Sequence, residues 1–318
     1  MHKTRVAVVG VGYLGKFHAQ KYAQMPDVSL VGVVDSNREL AEQTAADTGS
    51  QPFTDYRDLY GKIDAASIVV PTSSHFDISR ELLSQDVDLM IEKPITTTLT
   101  EADRLIQLAA SRGKLIQVGH LERFNSAVVS LKDIIGKPRF IESHRLSTFK
   151  PRATDVSVVL DLMIHDIDII LNMVASEVSH IHAAGIPVVS DHVDIANTRL
   201  AFKNGCVANV TASRISLENK RKMRIFQDDA YIAIDFAHHE ATVVRKDDQT
   251  DDDQPIPGLG IENRVFDKGD ALADELCAFI HAVQTRNAPL VTGQMGRDAL
   301  KVALDVMGQI QRTSVQEY

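Results

Sequence analysis

Short apolar runs alternate with helical patterns over the first 120 residues. These runs are rich in Val, Ile and Leu and lack polar alternation, which is typical of parallel strands that are covered on both faces. We therefore predict an α/β fold with a doubly wound sheet built from repeated β-α-β units. The runs are Arg5–Gly10, Val28–Asp35, Ala65–Val70, Leu89–Glu92 and Leu115–Gly119.

The clearest helical pattern in this half covers Thr100–Arg112. Four apolar residues recur there at helical spacing and predict one buried face. Thr100, with Asp103 three residues later, resembles a capping box and predicts the start of the helix. The apolar positions are Ala102, Leu105, Ile106 and Ala109.

The pattern changes after Gly119. Helices are predicted at Asn125–Ile135, Val159–Val174, Asp270–Thr285 and Gln294–Arg312. Between them, strands follow one another without helices, which favours an α+β domain with a large, mostly antiparallel sheet. We expect two domains, residues 1–120 and 121–318. The strands are predicted at Arg139–Thr148, Val178–Pro187, Asn197–Phe202, Val207–Arg214, Met223–Gln227 and Ala230–Asp235.

Charge and composition narrow the function classes. The 318 residues include 34 Lys+Arg and 43 Asp+Glu, and the net charge of −9 disfavours nucleic acid and anionic membranes as partners. The longest run without charged residues, Val178–Ser190, has 13 residues, whereas a membrane-spanning helix needs about 20. No signal-peptide core precedes Lys16, and Cys206 and Cys277 form neither a disulfide framework nor a metal motif, so we expect a cytoplasmic protein.

An acidic stretch lies at Lys246–Gly258. It contains five aspartates and two prolines but lacks the glycine and terminal glutamate of an EF-hand loop. We predict a solvated connection between strands there and no metal site.

A glycine motif follows the first predicted strand. It reads Gly10-Val11-Gly12-Tyr13-Leu14-Gly15 and precedes a predicted helix. Glycines in this context allow a tight turn and a close approach of a pyrophosphate to the main chain at the start of a helix. We predict that Gly10, Gly12, Tyr13, Leu14 and Gly15 bind a dinucleotide.

The second predicted strand ends at Asp35, which lies 20 residues after Gly15. This is the usual spacing to the acid that binds a ribose 2′-hydroxyl. A carboxylate there repels a 2′-phosphate, although Arg38 offsets part of that repulsion. We therefore expect Asp35, Ser36 and Arg38 to line a site that favours NAD over NADP.

Two further groups carry candidate chemistry. Lys93, in Glu92-Lys93-Pro94, follows a buried strand at the end where open α/β sheets bind ligands. Such a lysine can bond a substrate hydroxyl or be an ordinary surface residue. Asp161, His165 and Asp168 have the spacing of one helical face. They can form a carboxylate-assisted general base, a metal site or a satisfied buried network.

A basic stretch contrasts with the acidic composition. It consists of Arg214 and the segment Lys220–Arg224. Two interpretations are open: an ordinary solvated turn, or cations that attract a diphosphate-bearing substrate.

Taken in order, several motifs resemble the glucose–fructose oxidoreductase / inositol dehydrogenase / MocA (Gfo/Idh/MocA) family. The resemblance implies an N-terminal NAD-binding Rossmann domain over 1–120. It also implies a C-terminal substrate-binding domain over 121–318 whose open sheet forms homodimers or homotetramers. It assigns catalysis to Lys93, Asp161 and His165, and further cofactor contacts to Pro71, Thr72, His75, Glu92 and Lys93. The motifs are Gly10-x-Gly12-x-x-Gly15 with His18, Pro71-Thr72-x-x-His75, Glu92-Lys93-Pro94 and Asp161-x-x-x-His165.

Within this family, Val118–Asn125 and Asp155–Asp168 resemble the subfamily of UDP-N-acetylglucosamine 3-dehydrogenases. Ser157 and Met163 replace the small residues, Gly and Ala, expected there. The resemblance implies oxidation of a sugar-nucleotide hydroxyl to a ketone that an aminotransferase consumes, in some bacteria for lipid A. It also implies substrate contacts by Lys93, Asp161 and His165 and, more remotely, by Arg123, Asn125 and Arg152.

Other functions stay open from the sequence. An inositol, polyol or free-sugar dehydrogenase fits the same motifs. A non-catalytic NAD-binding sensor fits the fold but not the retained reactive side chains, and metal-dependent hydrolysis or lyase chemistry leaves the glycine motif without a purpose. Either His165 or Lys93 can be the general base.

Overall fold

The computed structural model describes residues 3–149, 156–246 and 258–315. The chain forms two compact units. The first comprises Met1–Leu121 with Asp270–Asp298, and the second Glu122–Gly269 with Ala299–Tyr318. The predicted second domain, 121–318, differs from the second unit because Asp270–Asp298 packs with the first.

A six-stranded parallel sheet forms the centre of the first unit. Its strand order is β3-β2-β1-β4-β5-β6, which is the doubly wound arrangement in which ligands bind beyond the carboxyl ends of the strands. The prediction of this sheet is confirmed. The strands are β1 Thr4–Val9, β2 Val28–Val34, β3 Gln51–Phe53, β4 Ala65–Ile68, β5 Asp88–Glu92 and β6 Ile116–Gly119.

Helices connect these strands: α1 Gly15–Gln24, α2 Arg38–Thr48, α3 His75–Ser84 and α4 Leu99–Arg112. The predicted start of α4 at Thr100 was wrong by two residues. Thr98 is the N-cap: its hydroxyl accepts from the Glu101 N–H at 3.3 Å, and the Glu101 carboxylate accepts from the Thr98 N–H at 3.0 Å. This reciprocal pair is a true capping box.

Short helical segments open the second unit. The predicted helix over Asn125–Ile135 was too long, since α5 covers only Ser126–Ser130 and Asn125 is its N-cap. The next helix begins with a π-helical turn, Val159–Met163, and continues as α6, Ile164–Val174.

An eight-stranded sheet forms the rest of this unit, in the order β14-β13-β12-β11-β7-β10-β9-β8. All neighbours are antiparallel except β7 and β10, which confirms the mostly antiparallel prediction. Lys220–Arg224 belongs to β11, so the interpretation of this stretch as a turn was wrong. The strands are β7 Pro138–Leu146, β8 Val178–Ile186, β9 Ile195–Phe202, β10 Val207–Ser213, β11 Lys220–Gln227, β12 Ala230–Asp235, β13 Glu240–Lys246 and β14 Leu259–Val265.

The chain closes with α7, Ala271–Thr285, and α8, Gly293–Val315. Leu276, Phe279 and Ile280 of α7 are buried with Val6 and Tyr22 in the core of the first unit. No helix among the described ranges has the length and apolar character needed to cross a bilayer. The acidic segment's residues 247–257, and Arg152, lie outside the described residues.

Candidate active site

Two glycines of the loop after β1 are required by the local geometry. Gly10 has φ +88°, and a Cβ there would lie 2.5 Å from the Val69 carbonyl oxygen. A Cβ on Gly15 would lie 1.8 Å from the Gly10 carbonyl oxygen. A side chain at either position would therefore collide with the main chain, so this turn depends on glycine.

Gly12 is different because the space beside it is open. No described heavy atom lies within 4 Å of a Cβ placed there. The first turn of α1 begins three residues later, and no side chain caps it. An open cradle beside an uncapped helix N-terminus fits a pyrophosphate, which is what NAD would place there. Tyr13, at the tip of the loop, is 67% exposed.

Asp35 lies directly after β2 and bonds the glycine loop. Its Oδ2 accepts from the Val11 N–H at 3.0 Å, and its Oδ1 accepts from the Asn37 N–H at 2.9 Å. Ser36 and Arg38 are exposed beside it. The structure thus brings the predicted ribose-binding acid to the loop predicted to hold the pyrophosphate.

His75 joins the segments that follow β4 and β5. Its Nδ1 lies 3.0 Å from the Pro94 carbonyl oxygen and its Nε2 2.9 Å from the Val70 carbonyl oxygen. The ring is 1% exposed, and burial lowers the pKa of His75 although the two carbonyls oppose this. Main-chain carbonyl oxygens therefore lie within hydrogen-bond distance of both ring nitrogens of the predicted cofactor residue His75, and one of them accepts from the single N–H of the neutral ring. Pro71 is exposed and Thr72 partly exposed in the segment that it anchors.

Glu92 and Lys93 lie at the carboxyl end of β5. One Glu92 oxygen lies 3.3 Å from Nε2 of the fully buried His18, and the other accepts from the Lys93 N–H at 3.2 Å. Burial by itself raises the pKa of Glu92, but His18 and Lys93 outweigh it, and the pKa lies below its usual range. Lys93 is partly exposed at the sheet edge where ligands bind in this fold.

In the second unit, Asp161 lies in the π-helical turn and His165 in the first turn of α6. Both side chains are partly exposed, and π-helical turns occur frequently at functional sites. Asp168 is 3% exposed, and its Oδ2 lies 3.2 Å from Arg123 Nε. Asp168 is therefore buried in an ion pair with Arg123.

A buried ion-pair network also anchors α6, and sequence reasoning missed it. Arg145 of β7 donates to one oxygen of Asp166 through Nε at 3.1 Å and Nη2 at 2.7 Å. Its Nη1 donates to Glu122 at 2.8 Å. Burial raises the pKa of Glu122, but Arg145 outweighs it and the net direction is down. No sequence motif marks Asp166 as a partner of Arg145. The two residues are 21 positions apart in the chain, and only the fold brings them together.

Asn125, predicted as a substrate contact, is occupied within its own unit. Its Oδ1 accepts from the Ala127 N–H at 3.1 Å, and its Nδ2 donates to Glu122 and to the Phe236 carbonyl, both at 3.4 Å. Arg123 is likewise 7% exposed and paired with Asp168.

The basic residues of β11 lie at the sheet surface. Lys222 pairs with Asp235 at 3.0 Å, and Arg224 pairs with Glu142. Arg221 is 55% exposed and lies 3.6 Å from Glu122. The strand therefore presents cations that carboxylates only partly neutralise.

Comparison with known proteins decides the family. Residues 4–120 match the model of the oxidoreductase family with an NAD-binding Rossmann fold, and residues 132–233 match the GFO/IDH/MocA C-terminal domain. A UDP-N-acetylglucosamine 3-dehydrogenase from Acidithiobacillus ferrooxidans is 39% identical over 95% of this chain and 96% of its own. The chain belongs to the Gfo/Idh/MocA family. It is therefore an NAD-binding oxidoreductase, and the resemblance drawn from its motifs is confirmed.

Two further comparisons show how similar this chain is to other members of the Gfo/Idh/MocA family. A scyllo-inositol 2-dehydrogenase (NAD(+)) from Bacillus subtilis is 31% identical over 68% of each chain. A solved structure of the Acidithiobacillus ferrooxidans enzyme matches with a TM-score of 0.93 at 38% identity, covering 98% of this chain and 99% of that one.

Proposed function

We propose that this oxidoreductase is an NAD-dependent dehydrogenase that oxidises the C3 hydroxyl of UDP-N-acetylglucosamine to a ketone. The observation that carries the proposal is the 39% identity with a UDP-N-acetylglucosamine 3-dehydrogenase along 95% of the chain. The inositol dehydrogenase relative matches at 31% over 68%. Because the similarity to the UDP-N-acetylglucosamine 3-dehydrogenase runs along nearly the whole chain, it includes the C-terminal domain, where we expect substrate specificity to lie.

Asp35 supports NAD over NADP. Its carboxylate has further lone pairs for ribose hydroxyls beyond those that accept from Val11 and Asn37. The same negative charge repels a 2′-phosphate. Arg38 is 77% exposed and lies 3.7 Å from Glu42, so part of its charge is already balanced.

Bound NAD supplies a hydride acceptor, and the protein supplies position and charge. We assign Lys93 as a charged donor to the substrate hydroxyl, because the adjacent Glu92 carboxylate opposes loss of its proton. We assign His165 as the general base that takes the hydroxyl proton. Asp161 orients the imidazole and stabilises its charged form. These roles rest on the motif matches and on each residue's exposure in its own unit.

A nucleotide diphosphate needs cationic partners. Arg123 is buried in an ion pair with Asp168. Arg221 is 55% exposed although it lies 3.6 Å from Glu122, and Lys220 begins the same strand, β11, so these two cations are more accessible to a diphosphate. Substrate contacts by Arg123, Asn125 and Arg152 remain predictions.

We further propose a homodimer or homotetramer formed through the outer face of the eight-stranded sheet. Phe140, Phe226 and Tyr231 stack there, with ring centroids 5.7 Å and 4.9 Å apart. Each ring is partly exposed, while the strand neighbours Ile141 and Ile225 are buried on the opposite face. Light scattering of wild type and Tyr231→Glu tests this surface: the variant should lower the oligomeric mass. A cytoplasmic location stays a prediction.

The deciding experiment compares substrates directly. Purified protein with NAD is given UDP-N-acetylglucosamine, UDP-glucose or myo-inositol, and NADH absorbance is followed. The proposal expects the highest kcat/KM with UDP-N-acetylglucosamine. Preference for myo-inositol would favour the polyol alternative, and tight NADH binding without turnover on a broad sugar panel would favour the sensor.

A further inference from the structure

A buried histidine and a largely buried glutamate, His18 and Glu92, lie next to Lys93. His18, from α1, is fully buried, and its Nε2 lies 3.3 Å from Glu92 Oε1. The Glu92 side chain is 13% exposed. The three residues come from α1, the end of β5 and the segment after it, all within the first unit.

The Glu92 carboxylate has little freedom to move. Gly119, the last residue of β6, lies so close that a Cβ there would be 2.8 Å from Oε1 and 2.9 Å from Oε2. On its other side, Oε2 accepts from the Lys93 N–H at 3.2 Å. The carboxylate is therefore confined between a glycine, a histidine and the main chain of the lysine.

The charges around this carboxylate can be traced element by element. Burial raises the pKa of Glu92, but His18 and Lys93 outweigh it and the net direction is down. Burial lowers the pKa of His75 on α3, and the Glu92 charge only partly offsets this. His120, also buried, follows Gly119 at the end of β6. A carboxylate that stays ionised next to Lys93 favours, through the same charge interaction, the protonated form of the lysine.

We propose that Glu92 and His18 are positioning residues for Lys93. Glu92 fixes the Lys93 main chain and keeps its side chain as an ammonium, and His18 holds the carboxylate in place. This inference rests on the proposed role of Lys93 as a charged donor and deepens it. It explains why a lysine at this sheet edge serves as a donor rather than as a base.

The rival interpretation is that the His18–Glu92 pair only stabilises the packing of α1 on β5. A structural role alone predicts that substitution changes stability but leaves the acidity of Lys93 unchanged. The two interpretations therefore differ in the pKa of Lys93, which can be measured without any substrate.

The test is competitive labelling of NAD-free protein with acetic anhydride across the alkaline pH range. Peptide mass spectrometry follows acetylation of Lys93. In Glu92→Gln, which keeps the side-chain shape, the labelling curve of Lys93 should move to lower pH by about one pH unit or more. Below that curve's midpoint, labelling should be about tenfold faster than in wild type. Glu42→Gln, an exposed change of equal charge on α2, should leave the curve in place.

His18 is tested in the same assay. His18→Gln keeps an N–H donor for the carboxylate and should retain a near wild-type curve, whereas His18→Leu should move it as Glu92→Gln does. A folded Glu92→Gln with an unmoved Lys93 curve would overturn the proposal, whatever the His18 variants do. Because no sugar takes part, a wrong substrate assignment leaves this result intact, so the two failures are distinguishable.

Discussion

The Asp35 carboxylate accepts a hydrogen bond from the Val11 main-chain N–H, with Oδ2 and N 3.0 Å apart. The residue predicted to select the cofactor therefore also shapes the loop predicted to hold its pyrophosphate. Cofactor choice and loop geometry are linked through one side chain.

Replacing Asp35 by alanine should weaken the use of NAD far more than the use of NADP. Loss of a charged hydrogen-bond acceptor costs about 1.5–3 kcal/mol, so kcat/KM for NAD should fall about 10–100-fold. The NADP value should fall less or rise, because a repulsive charge is removed. Steady-state kinetics with both cofactors measure the ratio, and Asp47→Ala, on the exposed side of α2, is the control. An unchanged NAD/NADP ratio would contradict the role given to Asp35.

Two alanine substitutions in the glycine loop should behave differently. Gly15→Ala should destabilise the protein, since its Cβ would lie 1.8 Å from the Gly10 carbonyl oxygen. Gly12→Ala should keep the melting temperature but raise the Kd for NADH at least tenfold, because the methyl group enters open space reserved for the cofactor. Thermal unfolding and NADH fluorescence titration separate the effects. Gly136→Ala is the control, because that position has room for the methyl group, and it should change neither the melting temperature nor the NADH affinity. An unchanged NADH affinity in Gly12→Ala would contradict the assignment of Gly12 to the pyrophosphate site.

Much of the fold follows from local pattern. Apolar runs located β1, β2, β4, β5 and β6, because strands covered on both faces leave a strong signal. β3 has three residues including Pro52, and in the edge strand β14 three consecutive polar residues, Glu262–Arg264, interrupt the apolar positions. Neither strand therefore has enough apolar periodicity to be predicted. The place of α7 in the first unit depends on packing against α1, which cannot be read from sequence spacing.

The candidate site was predictable only where its residues form motifs. The glycine loop, Asp35 and Lys93 follow strand ends and could be read from the sequence. The Arg145–Asp166 pair and the position of main-chain carbonyls near both His75 nitrogens arise from tertiary packing. Asn125 differs from these residues. Its place in a motif predicts a substrate contact, whereas in the structure its side chain caps helix α5.

Removing either proposed reactive side chain should abolish most turnover without loss of cofactor. His165→Ala and Lys93→Ala should each lower kcat about 10²–10⁴-fold, the usual contribution of general acid–base groups. NADH affinity should stay near wild type, and His182→Ala, exposed on β8, should keep full activity. Steady-state rates and NADH titration measure both quantities. Full activity in one of the two variants would remove that residue from the mechanism.

The buried network beneath α6 should be important for stability. Arg145→Met leaves Asp166 and Glu122 without their common partner, and breaking a buried pair in this way costs about 3–5 kcal/mol. Urea unfolding followed by circular dichroism measures the loss. Arg139→Met breaks an exposed pair with Asp228 and should leave the urea midpoint unchanged. Equal midpoints for both variants would show that the network adds no stability.

Asp194 should make the second unit sensitive to acid. Burial raises the pKa of this carboxyl, but N–H donors from Val188, Val189 and Ser190 outweigh it and hold the pKa at about 2. Because the folded pKa lies below the unfolded one, the stabilisation is present above about pH 4 and is lost as the pH falls towards 2. Unfolding free energies across this range should decline less steeply in Asp194→Asn than in wild type. Parallel curves would contradict this role of Asp194.

In the proposed reaction, hydride passes from C3 of a sugar nucleotide to NAD. The most direct measurement uses UDP-N-acetylglucosamine carrying deuterium at C3, with mass spectrometry of the reduced cofactor and of the sugar product. We expect one deuterium in each NADH formed, together with an equal amount of 3-keto product. Reduced cofactor without deuterium, or no reduction with this substrate while a polyol is oxidised, would contradict it.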